Sequence, residues 1–153
     1  MTKDDDPSVA VPALLERARS LGPRLGGAAD QLNASLEAVE KDLAGLKLGV
    51  TASVLLSSNE HDFEEWLTFQ KHGNAWRLVL ESGFCVASPD HWTVSPLVTA
   101  SRGTRLEAVG LLPKLLAELI AKAEEEIREV EEAAQEVDRF SAAVRSVREK
   151  GVK

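Results

Sequence analysis

Apolar residues recur at alternating spacings of three and four residues through the first third of the chain. The series runs through Leu15, Ala18, Gly22, Leu25, Ala29, Leu32, Leu36, Val39, Leu43 and Leu46. This spacing places the apolar residues on one face of a helix, so we expect helical structure over residues 11–46. Gly22-Pro23 predicts a break near 22–23, because glycine suits a left-handed C-cap and proline suits a first helical turn. Residues 1–8 are predicted to be disordered.

The period of the pattern changes to two over residues 48–98, which predicts antiparallel strands. Leu48, Val50, Ala52, Val54 and Leu56 alternate with smaller or more polar residues, as in a half-buried strand. Further alternating runs span residues 63–70 and 76–81, separated by a hairpin turn at residues 72–74. The segment 84–98 contains two prolines and is typical of an edge strand with irregular chain. The sequence therefore predicts a meander of three or four strands.

A second long helix is predicted over residues 104–149. Thr104 and Glu107 have the spacing of a capping box, which satisfies free backbone N–H groups at a helix start. A heptad pattern of apolar residues then continues for about six repeats. Pro113 is expected to kink or split the helix, because it removes one backbone hydrogen bond.

The resulting fold class is α+β, with two long heptad-patterned helices flanking the meander. The length favours a single domain over residues 1–153. The order of helix, hairpins and helix resembles the layout of a prefoldin-type chaperone subunit, although no sequence motif accompanies that likeness.

The two ends of the second helix differ in their apolar pattern. Leu112, Leu116, Leu119 and Ile120 make the first part apolar on most sides, so this part is predicted to be core. Beyond Lys122 a narrow apolar seam continues in a glutamate-rich surface and is predicted to contact a partner helix. Its candidate interaction residues are Ile127, Val130, Ala134, Val137 and Val144. If the two long helices pack antiparallel, Arg17, Arg19 and Arg24 lie opposite the acidic residues 129–138.

Few residues indicate catalytic or metal chemistry. His61, His72, His91 and Cys85 could contribute to a zinc site or a Cys–His dyad, but they lack the spacings of known metal motifs. We therefore predict no catalytic residue, no metal and no cofactor. Trp66 is the sixth candidate interaction residue, because it faces away from Phe63, Leu67 and Phe69. Either one face of the sheet carries an exposed aromatic side chain, or the sheet is covered on both faces, and we favour the covered sheet.

The charge balance limits the classes of partner. The net charge of −7 disfavours binding to nucleic acid and to anionic membranes. The start of the sequence lacks the apolar core of a signal peptide, and no apolar run approaches the roughly 20 residues of a membrane span, so we expect a cytoplasmic protein.

Heptad seams and sheet edges both favour association with other chains. The sequence thus favours a non-enzymatic protein–protein interaction module, an adaptor, assembly subunit or chaperone-like partner. We expect it to bind another protein, itself as a homodimer or higher oligomer, or both. Two alternatives stay open. One is a small-ligand-binding protein or enzyme that uses the Trp/His/Cys strand region, and the other is a regulatory or inhibitory partner of antitoxin or immunity type.

Overall fold

The computed structural model describes residues 7–151 and has an α+β fold. Two helices, α1 and α2, flank a four-stranded antiparallel sheet in sequence. The helices are α1 (Pro7–Gly45) and α2 (Arg102–Lys150), and the strands are β1 (Ala52–Ser58), β2 (Phe63–His72), β3 (Ala75–Phe84) and β4 (Thr93–Pro96). Short 3-10 turns at Pro89–His91 and Leu97–Thr99 flank β4. The predicted fold class is confirmed, and the meander has four strands within the described residues.

Helix α1 is continuous through Gly22 and Pro23, so the predicted break near 22–23 is wrong. Gly22 is not among the residues with a positive φ in the described part of the chain, and it therefore makes no left-handed cap. Pro23 removes one helical hydrogen bond, but the helix is exposed there and the free carbonyl of Arg19 is open to water. The apolar spacing also continues across the proline without a change of phase, as expected for one helix. The predicted disorder of residues 1–8 lies outside the described residues up to residue 6, and Pro7 and Ser8 belong to α1.

The first strand begins at Ala52, four residues later than the alternation predicts. Lys47 and Gly49 have φ values of 54° and 66°, which are incompatible with an extended strand. Leu48 is consequently exposed, whereas Ala52 and Val54 are buried in β1. Because the pairing register shifts between Leu55 and Ser57, β1 contains a bulge at this point.

The sheet has the strand order β1-β2-β3-β4, with each strand antiparallel to its neighbour. His72 pairs with Ala75, so a two-residue loop joins β2 to β3 and confirms the predicted hairpin. The loop before β2 is held by Asn59, whose side-chain oxygen accepts hydrogen bonds from the backbone N–H groups of His61 and Phe63 at 2.9 and 3.1 Å. Strand β4 pairs with β3 alone and ends at Pro96, as expected for an edge strand.

Both faces of the sheet are buried at its centre. Leu67, Phe69, Leu78 and Leu80 lie on one face, and Thr68 and Val79, which pair with each other, lie on the opposite face with no exposed surface. The Ser53 and Thr68 hydroxyl groups are 2.8 Å apart and satisfy each other within this second face. The predicted covering of both faces is therefore observed for the middle of the sheet.

Helix α2 is also continuous and packs against β1 and β2. Its N-cap is Ser101, whose side chain accepts a hydrogen bond from the N–H of Thr104. The helix thus begins at Arg102, and the predicted capping box at Thr104 and Glu107 is wrong: Thr104 already belongs to the first turn. Pro113 lies inside the helix and does not split it.

The chain divides into two compact units, one ending at Gly45 and the other beginning at Leu46. The first contains α1, and the second contains the sheet and α2. The single domain inferred from the length stays a prediction.

Candidate functional site

Helix α2 has two apolar faces, one buried and one exposed. Ala108, Leu115 and Leu119 are buried. Leu116 and Ile120 are 41% and 49% exposed, so their predicted place in the core is wrong. Successive helical residues are about 100° apart around the axis, and Leu115 and Leu116 therefore point to adjoining faces of which one is covered.

The exposed face follows the heptad positions along almost the whole helix. We call it the α2 seam and define it as Leu106, Val109, Leu116, Ile120, Ile127, Val130, Ala134, Val137 and Val144. All of these residues are exposed. Five of the six predicted interaction residues lie on this seam and are accessible to a partner.

The seam reaches far along the helix, into a segment that we call the distal arm, residues 123–150. Its seam side chains remain exposed; Val137, for example, is 64% exposed. Two further apolar side chains border the seam here, Phe140 at 71% and Val147 at 72% exposure. The heptad pattern does not include Phe140 and Val147, because it places the neighbouring Ser141 at a core position. The spacing from Val137 to Phe140, Val144 and Val147, which is three, four and three residues, indicates their place on the border.

The charges of the distal arm are distributed unequally along its length. Residues 124–138 contain eight carboxylate side chains and one arginine. Residues 139–150 contain four basic side chains and one glutamate. At the start of this region Lys122 forms an ion pair with Glu125 at 3.9 Å on the exposed helix surface, and such a pair contributes little to stability.

A second candidate site is a groove on the Trp66 face of the sheet. It has a volume of about 420 Å³ and is lined by Glu81, Cys85, Ala87, Trp92 and Val94. The register pairs Trp66 with Glu81 and Glu81 with Val94, which places these three residues in one row on one face.

The wall of this groove depends on a close approach between Trp92 and Gly83. A β-carbon at Gly83 would lie 2.7 Å from atoms of the Trp92 ring, so glycine is required there. The indole N–H of Trp92 donates a hydrogen bond to the carbonyl of Phe84 at 3.2 Å. These contacts fix the irregular segment after β3 against the strand.

Cys85 is held as a thiol by its neighbours. Its Sγ donates to Oε1 of Glu64 at 2.7 Å, and the indole N–H of Trp66 donates to Oε2 of the same carboxylate at 2.6 Å. The hydrogen bond to Glu64, together with partial desolvation and the nearby negative charges, raises the pKa of Cys85. The hydrogen bonds from Cys85 and Trp66 lower the pKa of Glu64. A thiol with a raised pKa is a poor nucleophile at neutral pH, which disfavours a Cys–His dyad.

The three histidines lie on different elements and outside the lining of the groove beside Cys85. His61 lies in the loop before β2, His72 ends β2 at the hairpin, and His91 ends a 3-10 turn, and none of them lines the groove. Among the described residues, no group of three His, Cys, Asp or Glu side chains is placed to hold a metal ion.

Trp66, the sixth predicted interaction residue, is half-buried rather than freely exposed. Its ring lies on the face opposite Leu67 and Phe69, as the alternation predicts, and its N–H is satisfied by Glu64. Trp66 and the α2 seam therefore present different chemistry. Trp66 lies on the face of the groove, whose lining combines apolar side chains with a carboxylate and a thiol, and the α2 seam is a long apolar stripe.

Comparisons with protein-family models, with curated proteins and with solved structures found no match to this chain. Within residues 7–151, neither helix combines the length and apolar character needed to cross a membrane.

Proposed function

We propose that this protein is a non-enzymatic protein–protein interaction module, an adaptor, assembly subunit or chaperone-like partner, that associates through the α2 seam. The observation that supports this proposal is the exposure of the seam side chains along a 49-residue helix. Monomeric proteins rarely expose contiguous apolar surface of this extent, and such surfaces mark association sites. Heptad spacing further indicates that the bound element is a helix.

The distal arm gives the physical reason for association. Most helical stability in proteins comes from packing of an apolar face rather than from intrinsic propensity. A helix end whose apolar stripe stays in water lacks that contribution, whereas a partner helix on the seam would supply it. The surrounding glutamates and arginines keep the arm soluble until it binds.

The test is a charge placed on the seam without disturbing the sheet. We expect Val137→Glu to abolish association, because a carboxylate would be buried without a partner in the helix–helix contact. The matched control is Ser146→Glu, which adds the same charge on the opposite side of the same helix. Molar mass from light scattering at tens of micromolar protein measures the outcome, a concentration suited to modest affinity.

If wild type, Val137→Glu and Ser146→Glu all form oligomers to the same extent, the proposal is overturned. Circular dichroism is recorded for each variant to confirm that the fold is retained. Because Val137 is 64% exposed, its substitution is expected to change the free energy of unfolding of the protomer by less than about 0.5 kcal/mol.

A small-ligand-binding role is the second candidate, and the groove beside Cys85 supports it. Its volume of about 420 Å³ falls in the range of ligand pockets, and it combines two apolar walls with a carboxylate. Ligand binding there would change the fluorescence of Trp92. A screen of small molecules that leaves this fluorescence unchanged would remove the support for this candidate. The regulatory role of antitoxin or immunity type stays a prediction without a site of its own.

A further inference from the structure

We infer that the distal arm pairs with the distal arm of a second copy of this chain, and that the two arms are antiparallel. This inference rests on the proposed function, since it names the partner and the orientation of the helix that covers the α2 seam. It follows from the distribution of charge and of side-chain size along the arm.

Charge selects the orientation of the two arms. In a parallel pair in register, the acidic segment 124–138 of one copy would lie beside the same acidic segment of the other, and like charges would repel. In an antiparallel pair centred between residues 135 and 136, the acidic residues 124–132 lie beside residues 139–147 of the second copy, which contain Arg139 and Arg145. The two-fold symmetry of such a pair creates this favourable contact twice.

The seam residues fit the same arrangement. In an antiparallel coiled coil, one heptad core position of a helix lies beside the other core position of its partner. Centring the contact between residues 135 and 136 places Ile127 beside Val144 of the second copy and Ala134 beside Val137. Val130 then lies beside the half-buried Ser141 of the second copy. The contact therefore contains polar layers among its apolar layers.

Two pairs of residues that border the seam are complementary in this register, and they stand against one like-charge pair, Glu131 beside Asp138 of the second copy. Phe140, the aromatic residue of the arm, lies beside the small Ala133 of the second copy, so the exposed ring finds space. On the other border, Glu124 lies beside Arg145 of the second copy. The arm thus carries both halves of its own complementary surface, which favours a second copy over an unrelated protein.

Cysteine cross-linking distinguishes the orientations in the full chain. Ile127→Cys and Val144→Cys are made separately, each with Cys85→Ser, because the exposed Cys85 could otherwise cross-link. We expect mild oxidation of a mixture of the two variants to give a disulfide-linked dimer. Each variant alone should give little, because equal positions lie far apart in an antiparallel pair.

Dimers formed by each variant alone, without preference for the mixture, would show a parallel pair and overturn this inference while leaving the proposed function intact. A wild-type chain that is monomeric at tens of micromolar would also overturn it. Oligomers of Val137→Glu that form as readily as those of wild type would, in contrast, contradict the proposed function itself.

A charge reversal gives a second measurement that does not depend on cysteine chemistry. Arg145→Glu alone and Glu124→Arg alone should each weaken dimerisation several-fold, because each creates two like-charge contacts. The double variant Glu124→Arg/Arg145→Glu restores opposite charges and should recover most of the affinity. Additive weakening in the double variant would contradict the antiparallel register.

Discussion

The carboxylate of Glu64 joins two side chains that are distant in sequence, Cys85 and Trp66. A two-residue loop at Gly73-Asn74 fixes the register of β2 and β3, so that Phe63 pairs with Phe84 and the N–H of Cys85 donates to the carbonyl of Asp62 at 2.9 Å. The hairpin predicted from the sequence therefore implies that Glu64 and Cys85 lie close together. The hydrogen bonds themselves were not predictable, because they depend on the irregular chain after β3.

At neutral pH we expect the Cys85 thiol to react slowly with iodoacetamide, although it is exposed. The carboxylate of Glu64 accepts its proton and raises the pKa of the thiol, which lowers the fraction of reactive thiolate. Glu64→Gln removes the negative charge, so the alkylation rate should rise at a given pH and its pH profile should move to lower pH. The measurement is the rate of mass increase between pH 7 and 10.

Glu81→Gln is the matched control. Glu81 lines the groove together with Cys85, but the Cys85 thiol donates its hydrogen bond to Glu64. Equal profiles for wild type and Glu64→Gln would show that the Glu64–Cys85 hydrogen bond does not form in solution. Glu64 also makes the stability of the fold depend on pH, because its pKa is lowered in the folded protein. The stabilisation by the Glu64 carboxylate is therefore present at neutral pH and is lost as the pH falls through the lowered pKa of Glu64.

The helices show which features an apolar pattern predicts and which it does not. Period and phase predicted both helices, but the Gly22-Pro23 signal led to a predicted break that α1 does not have. The pattern did not predict which face of α2 is covered, because Leu111, Leu112, Leu115, Leu116 and Leu119 make adjoining faces equally apolar. That choice depends on the position of the helix against β1 and β2, which is a tertiary property.

Leu115 and Leu116 are neighbours of identical chemistry in different environments. Leu115→Ala should lower the free energy of unfolding by about 2–5 kcal/mol, since the side chain is fully buried. Leu116→Ala should cost only about 1 kcal/mol in the protomer, since 41% of the residue is exposed and a substitution there leaves no enclosed cavity. Urea unfolding under dilute conditions measures both. Equal losses would contradict the division of α2 into a buried face and an exposed seam.

The N-cap of α2 provides a test at the same scale. Ser101→Ala should lower stability by about 1 kcal/mol, because the N–H of Thr104 loses its side-chain acceptor. Glu107→Ala, which would remove a capping-box partner if the helix began at Thr104, should have a smaller effect. A larger loss for Glu107→Ala in thermal unfolding would instead favour the later start.

The whole molecule combines a net charge of −7 with a basic segment at the end of α2. The acidic run directly before that segment opposes an approaching phosphate backbone. We therefore expect no submicromolar affinity for single- or double-stranded DNA at physiological salt, measured by fluorescence anisotropy. Neutralising the acidic run should strengthen any residual binding. Tight, salt-dependent binding by the unmodified protein would contradict this expectation.

The proposed association makes the stability of the distal arm depend on protein concentration. An arm whose seam is in water lacks packing partners, so its backbone amides should exchange readily with solvent. An arm that is covered by a second helix should be protected. The buried residues of α2 near Leu115 and Leu119 provide an internal reference, because their protection derives from the sheet and should not change on dilution.

Amide hydrogen exchange across residues 123–150, followed by mass spectrometry at two protein concentrations, tests the central claim most directly. We expect protection of the arm at high concentration, loss of that protection on dilution, and no protection in Val137→Glu at either concentration. Exchange of the arm that is unaffected by concentration and by Val137→Glu would contradict the conclusion that the α2 seam is where this protein binds another helix.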